Sequence, residues 1–145
     1  MTTQGPSVDW KSLVAQAQPR RNTVRLCLRG DLLADLESAQ EEGNGERVAD
    51  LEAQVLGATV DFVLGGLTQD KYRALEAAHP APDGEGGWNL DTFPEALVRA
   101  CLLSPVVAAD DPLFGVLTPA QVEQLFNAAF LASNEADSLP LPKRG

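Results

Sequence analysis

The sequence predicts an α+β fold that is mostly helical. We expect a small two-stranded antiparallel β element with an inserted acidic helical hairpin, followed by a three-helix C-terminal part. Two patterns support this prediction. Residues 23–28 and 59–64 carry apolar side chains at every second position, which is the period of a half-buried strand. The segments between and after them repeat apolar residues at helical spacing.

The 145 residues are expected to form one domain, because a chain of this length buries about 68% of its unfolded surface on folding. We predict an N-terminal arm over 1–22, a globular domain over 23–134 and a mobile tail over 135–145, where periodicity is lost. From Trp10 the arm repeats apolar residues at helical spacing until Pro19 interrupts them. Two interpretations of the arm stay open, a short helix and a flexible segment.

The segment that joins the two strands is predicted to be an antiparallel helical hairpin. Asp31 is a candidate N-cap for its first helix, and the glycines of 43–45 break the helical pattern. Charge is uneven here: residues 1–30 have a net charge of +4, whereas residues 31–58 hold eight acids and one arginine, a net charge of −7. Because a helical hairpin begins and ends at one place, the flanking strands can pair antiparallel.

Three helices with recognisable starts are predicted in the second half of the chain. Thr68 is a candidate N-cap for the first, and Thr92 with Glu95 three residues later has the pattern of a capping box for the second. Thr118 followed by proline marks the start of the third. Between the first two helices lies a Gly- and Pro-rich loop, which we expect to fold Trp88 back over the core.

The composition argues against several classes of partner. With 11 Lys+Arg against 21 Asp+Glu, the formal net charge is −10. This disfavours nucleic acid and anionic membranes, since both are bound by clustered cations. No apolar run approaches the roughly 18 residues of a membrane helix, and the first residues lack the layout of a signal peptide. We therefore expect a soluble cytoplasmic protein.

The sequence predicts no catalytic, cofactor-binding or metal site, and no cofactor. His79 is the only histidine, and Cys27 and Cys101 fall on different elements, so a zinc site built from nitrogen and sulfur ligands lacks its fourth ligand. No nucleophile signature surrounds the cysteines or serines. Adjacent carboxylates along the chain are expected to be solvated, and such groups are poorly tuned for acid–base catalysis. We therefore do not expect an enzyme.

The last predicted helix carries the strongest amphipathic stripe in the chain, which includes Val122, Phe126 and Phe130. The first interpretation of this stripe is that it faces the core. The alternative is a groove that receives a partner helix, since helices bind one another by the packing rules that build a core. If part of the stripe is exposed, these three residues are the expected partner contacts, together with Trp10 in the arm.

Taken in order along the chain, several segments resemble the tail assembly chaperones of long-tailed, siphovirus-type phages that infect actinobacteria. The resemblance covers most of the chain and rests on the order and spacing of segments rather than on a catalytic motif. The segments that carry it are 9–13 (DWKSL), 23–30 (TVRLCLRG), the acidic helical insertion, the second strand ending at 67–68, 72–80 (YRALEAAHP), 88–89 (WN), 92–97 (TFPEAL) and 125–126 (LF).

The resemblance implies a non-enzymatic helper that binds the aggregation-prone tape-measure protein and keeps it soluble until tail-tube subunits polymerise around it. It implies the tail-tube protein and a frameshifted longer form of the chain as further partners. Residues 141–143 are compatible with a slippery codon run, which only the nucleotide sequence can show. It places the protein in the cytoplasm of the infected bacterium and outside the mature virion. Self-association stays open.

A second functional class is a small acidic regulatory adaptor or inhibitor that occupies a basic site on a host factor. The acidic block of the helical hairpin motivates this alternative, because clustered carboxylates can imitate an array of phosphates. Such a block is more commonly a solvated helix face. Neighbouring genes discriminate between the two classes, since a chaperone gene is expected directly upstream of a tape-measure gene.

Overall fold

The computed structural model describes residues 9–136 and Leu139, and within them the fold is α+β and mostly helical, as predicted. The elements in chain order are α1 (Trp10–Gln16), β1 (Arg21–Cys27), α2 (Gly30–Glu42), α3 (Gly45–Gly57), β2 (Thr59–Gly65), α4 (Gln69–Ala78), α5 (Phe93–Cys101), β3 (Leu102–Ser104), α6 (Leu113–Val116) and α7 (Pro119–Asn134). Residues 1–8 of the predicted arm and most of the predicted tail over 135–145 lie outside the described residues.

The two predicted strands pair antiparallel, with the helical hairpin inserted between them. Strand β1 begins at Arg21, two residues earlier than its apolar alternation indicates, because Arg21 still pairs with Gly65 of β2. Arg25 lies opposite Asp61, and its Nε donates to Asp61 Oδ1 over 2.7 Å on the exposed face. Such an exposed ion pair adds little stability and chiefly supports the register.

The sheet has three strands, in the order β1-β2-β3, rather than the predicted two. Helix α5 ends at Cys101, before the proline at position 105 that would stop it, and the next three residues pair with β2. Backbone partners are Val63 with Ser104 and Leu64 with Leu102. A strand of three residues is too short to show a period of two, so only the neighbouring strand reveals it.

The helical hairpin of α2 and α3 is confirmed and has a small core of its own, formed by Leu32, Ala39 and Leu51. Gly43 ends α2 with φ of 71°, a left-handed conformation that glycine adopts without strain. The side chain of Asn44 then caps α3 by accepting from the Arg47 N–H over 3.2 Å. The Gly-Asn-Gly connection therefore both stops one helix and starts the next.

Asp31 is not the N-cap of α2, contrary to the prediction. The helix begins at Gly30, the cap position belongs to Arg29, and no side chain caps it. Asp31 instead lies in the first turn and accepts two hydrogen bonds from the Arg29 guanidinium, at 2.9 and 2.7 Å. These bonds lower the pKa of the Asp31 carboxyl to about 2. The arginine two residues away is therefore the main partner of this carboxylate, and weaker backbone hydrogen bonds from Leu32 and Asp31 act in the same direction.

Replacing Arg29 with glutamine is expected to raise the pKa of Asp31 from about 2 towards its ordinary value of 3.8, because the guanidinium hydrogen bonds are lost. In the native protein this pair stabilises the fold at and above the ordinary pKa, and the stabilisation is lost as the pH falls towards 2. Carboxyl chemical shifts followed by NMR titration measure the change. An unaltered Asp31 titration in the variant would contradict the assignment.

The main core lies between the sheet and the helices of the second half. Phe62 and Leu64 of β2 are buried against Leu97 of α5 and against Leu125 and Ala129 of α7. Helix α7 also bonds directly to β1: the Asn22 side chain donates to the Ala128 carbonyl over 3.0 Å, and the Gln121 side chain donates to the Cys27 carbonyl over 3.1 Å. Helix α7 is therefore held along β1 by hydrogen bonds at both ends of the strand.

The predicted starts of the three C-terminal helices are correct in position, but only one of the expected caps forms. Thr118 and Gln121 make a capping box at α7. Thr68 and Thr92 make no side-chain cap, and the Thr92 hydroxyl lies 2.9 Å from Nδ1 of His79 instead. A short fourth helix, α6, precedes α7. Every helix among the described residues is too short or too polar to cross a lipid bilayer.

Candidate partner-binding groove

Helix α7 divides its apolar residues between the core and the surface. Leu125 and Ala129 are fully buried, whereas Val122, Phe126 and Phe130 are half-buried. This division follows from helical geometry. Val122, Phe126 and Phe130 are spaced four residues apart and form one row along the helix, which lies beside the row that contains the buried Leu125 and Ala129. The predicted stripe therefore lies at the edge of the core, and part of its surface is exposed to solvent.

Trp88 folds back over this edge of the core, as predicted. Its ring stacks on Phe93 with a centroid distance of 4.5 Å and meets Phe126 and Phe130 edge-on at 6.4 and 5.9 Å. The loop that carries Trp88 is closed at its base, where the Asn89 N–H donates to the His79 carbonyl over 2.8 Å. Aromatic contacts of this geometry stabilise a fold by more than the burial of their surface area alone. The loop and α7 therefore stabilise each other.

A groove of about 520 Å³ opens between α6, the start of α5 and the first half of α7. Its apolar lining comes from three parts of the chain: Leu90 and Pro94, Phe114 and Leu117, and Pro119, Val122 and Phe126. Three carboxylates join the same lining, those of Asp91, Glu95 and Glu123. The groove therefore combines an apolar floor with a negatively charged border, which suits an apolar partner segment that carries cations beside its contact residues.

One arginine of α5, Arg99, connects this helix to α6 beside the groove. Arg99 donates from Nε to Glu95 over 3.2 Å and from Nη2 to the Asp111 carbonyl over 3.0 Å. Its guanidinium lies 4.6 Å from the centre of the Phe114 ring, the distance of a cation–π contact. Asp111 in turn accepts from the Leu113 N–H over 2.9 Å at the start of α6. Helix α6 is only four residues long, and these contacts to α5 fix its position.

Phe130 faces a second depression, of about 470 Å³, which it shares with Tyr72, Trp88 and Asn134. The rings of Phe126 and Phe130 are stacked at 5.8 Å, so the two depressions adjoin across this pair. The structure thus brings three of the four predicted contact residues together on one helix. It divides them between two surface features rather than placing them in one.

Trp10 is not part of this site. It lies on α1 with 73% of its surface exposed. The chain that follows α1 is fixed at the far end of α7, where Arg20 and Glu135 form an ion pair at 3.2 Å. The groove, in contrast, lies at the N-terminal half of α7, around Val122. Trp10 is therefore separate from the three predicted contacts on α7.

The residues that complete the groove were not predicted as partner contacts from the sequence. Phe114 and Leu117 lie in and just after a helix of four residues, which is too short to show a periodic pattern. Glu95 is assigned to a capping box on the sequence, but the structure shows it bonded to Arg99. Asp91 and Glu123 carry no sequence signal of their own, because only the packing of α5 against α7 brings them to one border.

Neither cysteine lines the groove. Cys101 is buried in the main core, and this burial raises the pKa of its thiol, partly offset by the Ser133 hydroxyl 3.8 Å away. Cys27 is on β1, where its thiol faces the Arg29 and Val55 carbonyls. In the described part of the chain, no three His, Cys, Asp or Glu side chains gather in an arrangement that could hold a metal ion.

Comparison with known proteins finds no protein-family model, no curated protein and no solved structure that matches this chain significantly.

Proposed function

We propose that this chain is a non-enzymatic tail assembly chaperone of a siphovirus-type phage, which binds the tape-measure protein and keeps it soluble during tail-tube assembly. The proposal joins the order of segments in the sequence to one structural observation. That observation is the acid-bordered apolar groove, which includes Val122 and Phe126, two of the residues expected to contact a partner. The proposed site of action is the cytoplasm of the infected bacterium, outside the mature virion.

The dimensions and chemistry of the groove suit weak capture of an amphipathic helix. A partner helix can place its apolar side chains against Phe114, Val122 and Phe126 while basic residues on its flanks approach the carboxylates of Asp91 and Glu123. Each contact of this size is weak, but many copies along one long client provide avidity. Tail-tube subunits can then displace the copies one at a time. The net charge of −10 keeps the crowded complex from aggregating.

Co-expression with the tape-measure protein of the same phage tests the proposal. The wild-type chain is expected to increase the soluble fraction of the client, and Val122→Asp is expected to abolish most of that increase. Loss of one interface contact of about 1–2 kcal/mol weakens binding about 5- to 30-fold. The matched control is Leu56→Asp on the hairpin, where the leucine is 75% exposed and is not among the residues that line the groove.

Circular dichroism and thermal melting of both variants confirm that each is folded before the comparison is made. Equal client solubility with the wild type, with Val122→Asp and without the chain would contradict the proposal. The frameshifted longer form is tested separately, by reading the codons for residues 139–145 and the next reading frame. Residues 141–143, where the slippage is expected, lie outside the described residues.

The adaptor or inhibitor class is supported by a different observation. The α2–α3 hairpin has its own core, and all eight of its acidic residues are exposed. A separately packed acidic module is compatible with docking on a basic site of a host factor. A gene in an early region, with no tape-measure gene downstream, would favour this class. We place it second because it does not use the apolar groove.

A further inference from the structure

The chain beyond α7 contains a short apolar and basic stretch, residues 139–144, which we call the LPLPKR segment after its sequence. Two leucines alternate with two prolines, and the cations of Lys143 and Arg144 follow directly. The nearest acidic residue, Asp137, precedes the leucines and is six residues from Lys143. Of this segment the structure describes Leu139, which is 90% exposed. The segment therefore has the chemistry to bind a surface that is both apolar and acidic.

The alternation of leucine and proline favours binding in an extended form. Proline fixes its own φ at about −65° and restricts the residue before it to extended conformations. Such a segment loses little conformational entropy when it binds as a polyproline II helix, and its usual receptors are grooves lined by aromatic residues. With about three residues per turn, this helix places Leu141 and Arg144 on the same edge.

The groove has the matching chemistry. Phe114 and Phe126 contribute two aromatic rings to its lining, and Asp91 and Glu123 contribute carboxylates. The third carboxylate of the lining, that of Glu95, is already bonded to Arg99. The carboxylates of Asp91 and Glu123 are therefore the ones that a cation from another segment can approach.

The chain leaves α7 beside the groove of the same molecule. Helix α7 ends at Asn134, which lines the second depression together with Phe130. This depression adjoins the groove across the stacked rings of Phe126 and Phe130. The half-buried row of Phe130, Phe126 and Val122 therefore leads from the last turn of α7 back into the groove.

The LPLPKR segment is long enough to follow this row. Val122 lies twelve residues before Asn134, which corresponds to about 18 Å along a helix. Leu141 lies seven residues after Asn134, or about 22 Å in polyproline II form, and Arg144 lies ten residues after it, or about 31 Å. After the chain turns back at the end of α7, these lengths bring the leucines to the aromatic rings and the cations to the carboxylates.

We infer that the LPLPKR segment docks in the groove of its own molecule, with its leucines against Phe114 and Phe126 and with Arg144 beside Glu123. Leu139 is exposed in the described conformation, which is therefore the open one, and the docked state is a second conformation in equilibrium with it. The inference goes beyond the proposed function, because docking requires only the groove. A client helix competes with the segment for this surface, so its apparent affinity is reduced in proportion to the fraction of open molecules.

NMR of the full chain with labelled methyl groups and phenylalanine rings tests the docking. The wild type is expected to show nuclear Overhauser effects between the Leu141 methyl groups and the Phe126 ring. Leu141→Ser is expected to abolish these contacts and to shift the Val122 methyl resonances. Leu56→Ser, which removes a leucine that is 75% exposed on the hairpin, is the matched control and is expected to leave the Val122 resonances unchanged.

A charge exchange tests the position of the cations. Arg144→Glu is expected to shift the Val122 resonances in the same direction as Leu141→Ser, because a carboxylate then faces Glu123. Adding Glu123→Lys to that variant is expected to return the resonances towards their wild-type positions. A shift that the second substitution does not reverse would contradict the placement of Arg144 beside Glu123.

A synthetic peptide of residues 138–145 measures how much of the protein is closed. The peptide is expected to bind the Leu141→Ser chain at least about fivefold more tightly than the wild type, because the segment of the variant no longer competes for the groove. Fluorescence anisotropy of the labelled peptide gives both affinities. Equal affinities for the two chains would overturn the inference.

Two further outcomes would also overturn it. The first is equal effects of Leu141→Ser and Leu56→Ser on the Val122 resonances. The second is a set of contacts between Leu141 and Phe126 that arises only between molecules, in a mixture of differently labelled chains, since the occupant is then a second copy.

The outcomes separate this inference from the proposed function. If the segment does not dock while client solubility still depends on Val122, only the docking is overturned. If the segment docks while the client gains no solubility from the wild type or from Leu141→Ser, the chaperone proposal is overturned and the docking stands.

Discussion

Replacement of Phe93 with alanine is expected to lower the free energy of unfolding by about 3–5 kcal/mol, the range observed for large-to-small changes of a buried aromatic residue. Phe93 is fully buried at the start of α5. Its ring contacts Trp88 at 4.5 Å, Tyr72 at 5.9 Å and Phe126 at 6.4 Å between centroids. Its removal leaves a cavity beneath the Trp88 loop and takes away the ring that joins this loop to α4 and α7.

Urea denaturation followed by circular dichroism measures the change, with Leu90→Ala as the matched control. Leu90 lies three residues away and is 77% exposed, so its truncation is expected to change stability by no more than about 0.5 kcal/mol. Trp88 emission is expected to shift to longer wavelength in the Phe93 variant, because the indole loses its stacked partner. A difference of less than about 1 kcal/mol between the two variants would contradict the described packing of the aromatic cluster.

Replacement of Gly66 with alanine is expected to destabilise the protein by about 1–3 kcal/mol or more, because the new side chain meets backbone rather than a movable side chain. A Cβ atom on Gly66 would lie 2.0 Å from the Ala132 carbonyl oxygen and 2.5 Å from its carbon. The chain is held at this place by hydrogen bonds on both sides, from the Gly66 N–H to the Arg20 carbonyl and from the Leu67 N–H to the Ser133 hydroxyl, each 2.9 Å. Helix α7 must move, or these bonds must break.

Gly57→Ala at the end of α3 is the matched control, since a Cβ atom there meets nothing within 4 Å. Alanine is favoured over glycine in a helix, so this change is expected to be neutral or to stabilise the protein by up to about 1 kcal/mol. Thermal melting of the two variants gives the comparison. Equal melting temperatures for Gly66→Ala and Gly57→Ala would show that α7 does not pass as close to the end of β2 as the structure places it.

Phe93→Ala and Gly66→Ala are also expected to alter the shape of the groove. Phe93 contacts Phe126 from beneath, and Gly66 allows the last turn of α7 to approach β2. A partial loss of either contact is expected to weaken partner binding without any change at the groove surface. Groove variants such as Val122→Asp must therefore be compared with folded controls before a binding defect is assigned to the groove itself.

Local sequence patterns are sufficient to predict the two longer strands, the helical hairpin and the positions of the main helices. The strands β1 and β2 are recognisable because their side chains alternate, and a half-buried sheet requires that alternation. The hairpin is recognisable because Gly43 and Asn44 are residues that stop and start helices. In each of these cases the deciding interaction lies within a few residues along the chain.

The third strand, the partner of Thr92 and the groove depend instead on contacts between parts of the chain that are distant in sequence. The three residues of β3 form a strand because β2 lies beside them, and the Thr92 hydroxyl turns to His79, thirteen residues away, instead of capping its own helix. The groove joins Phe114, Glu95 and Val122 from three helices. Such a surface depends on how helices pack at long range, whereas periodicity and capping report only the preferences of neighbouring residues.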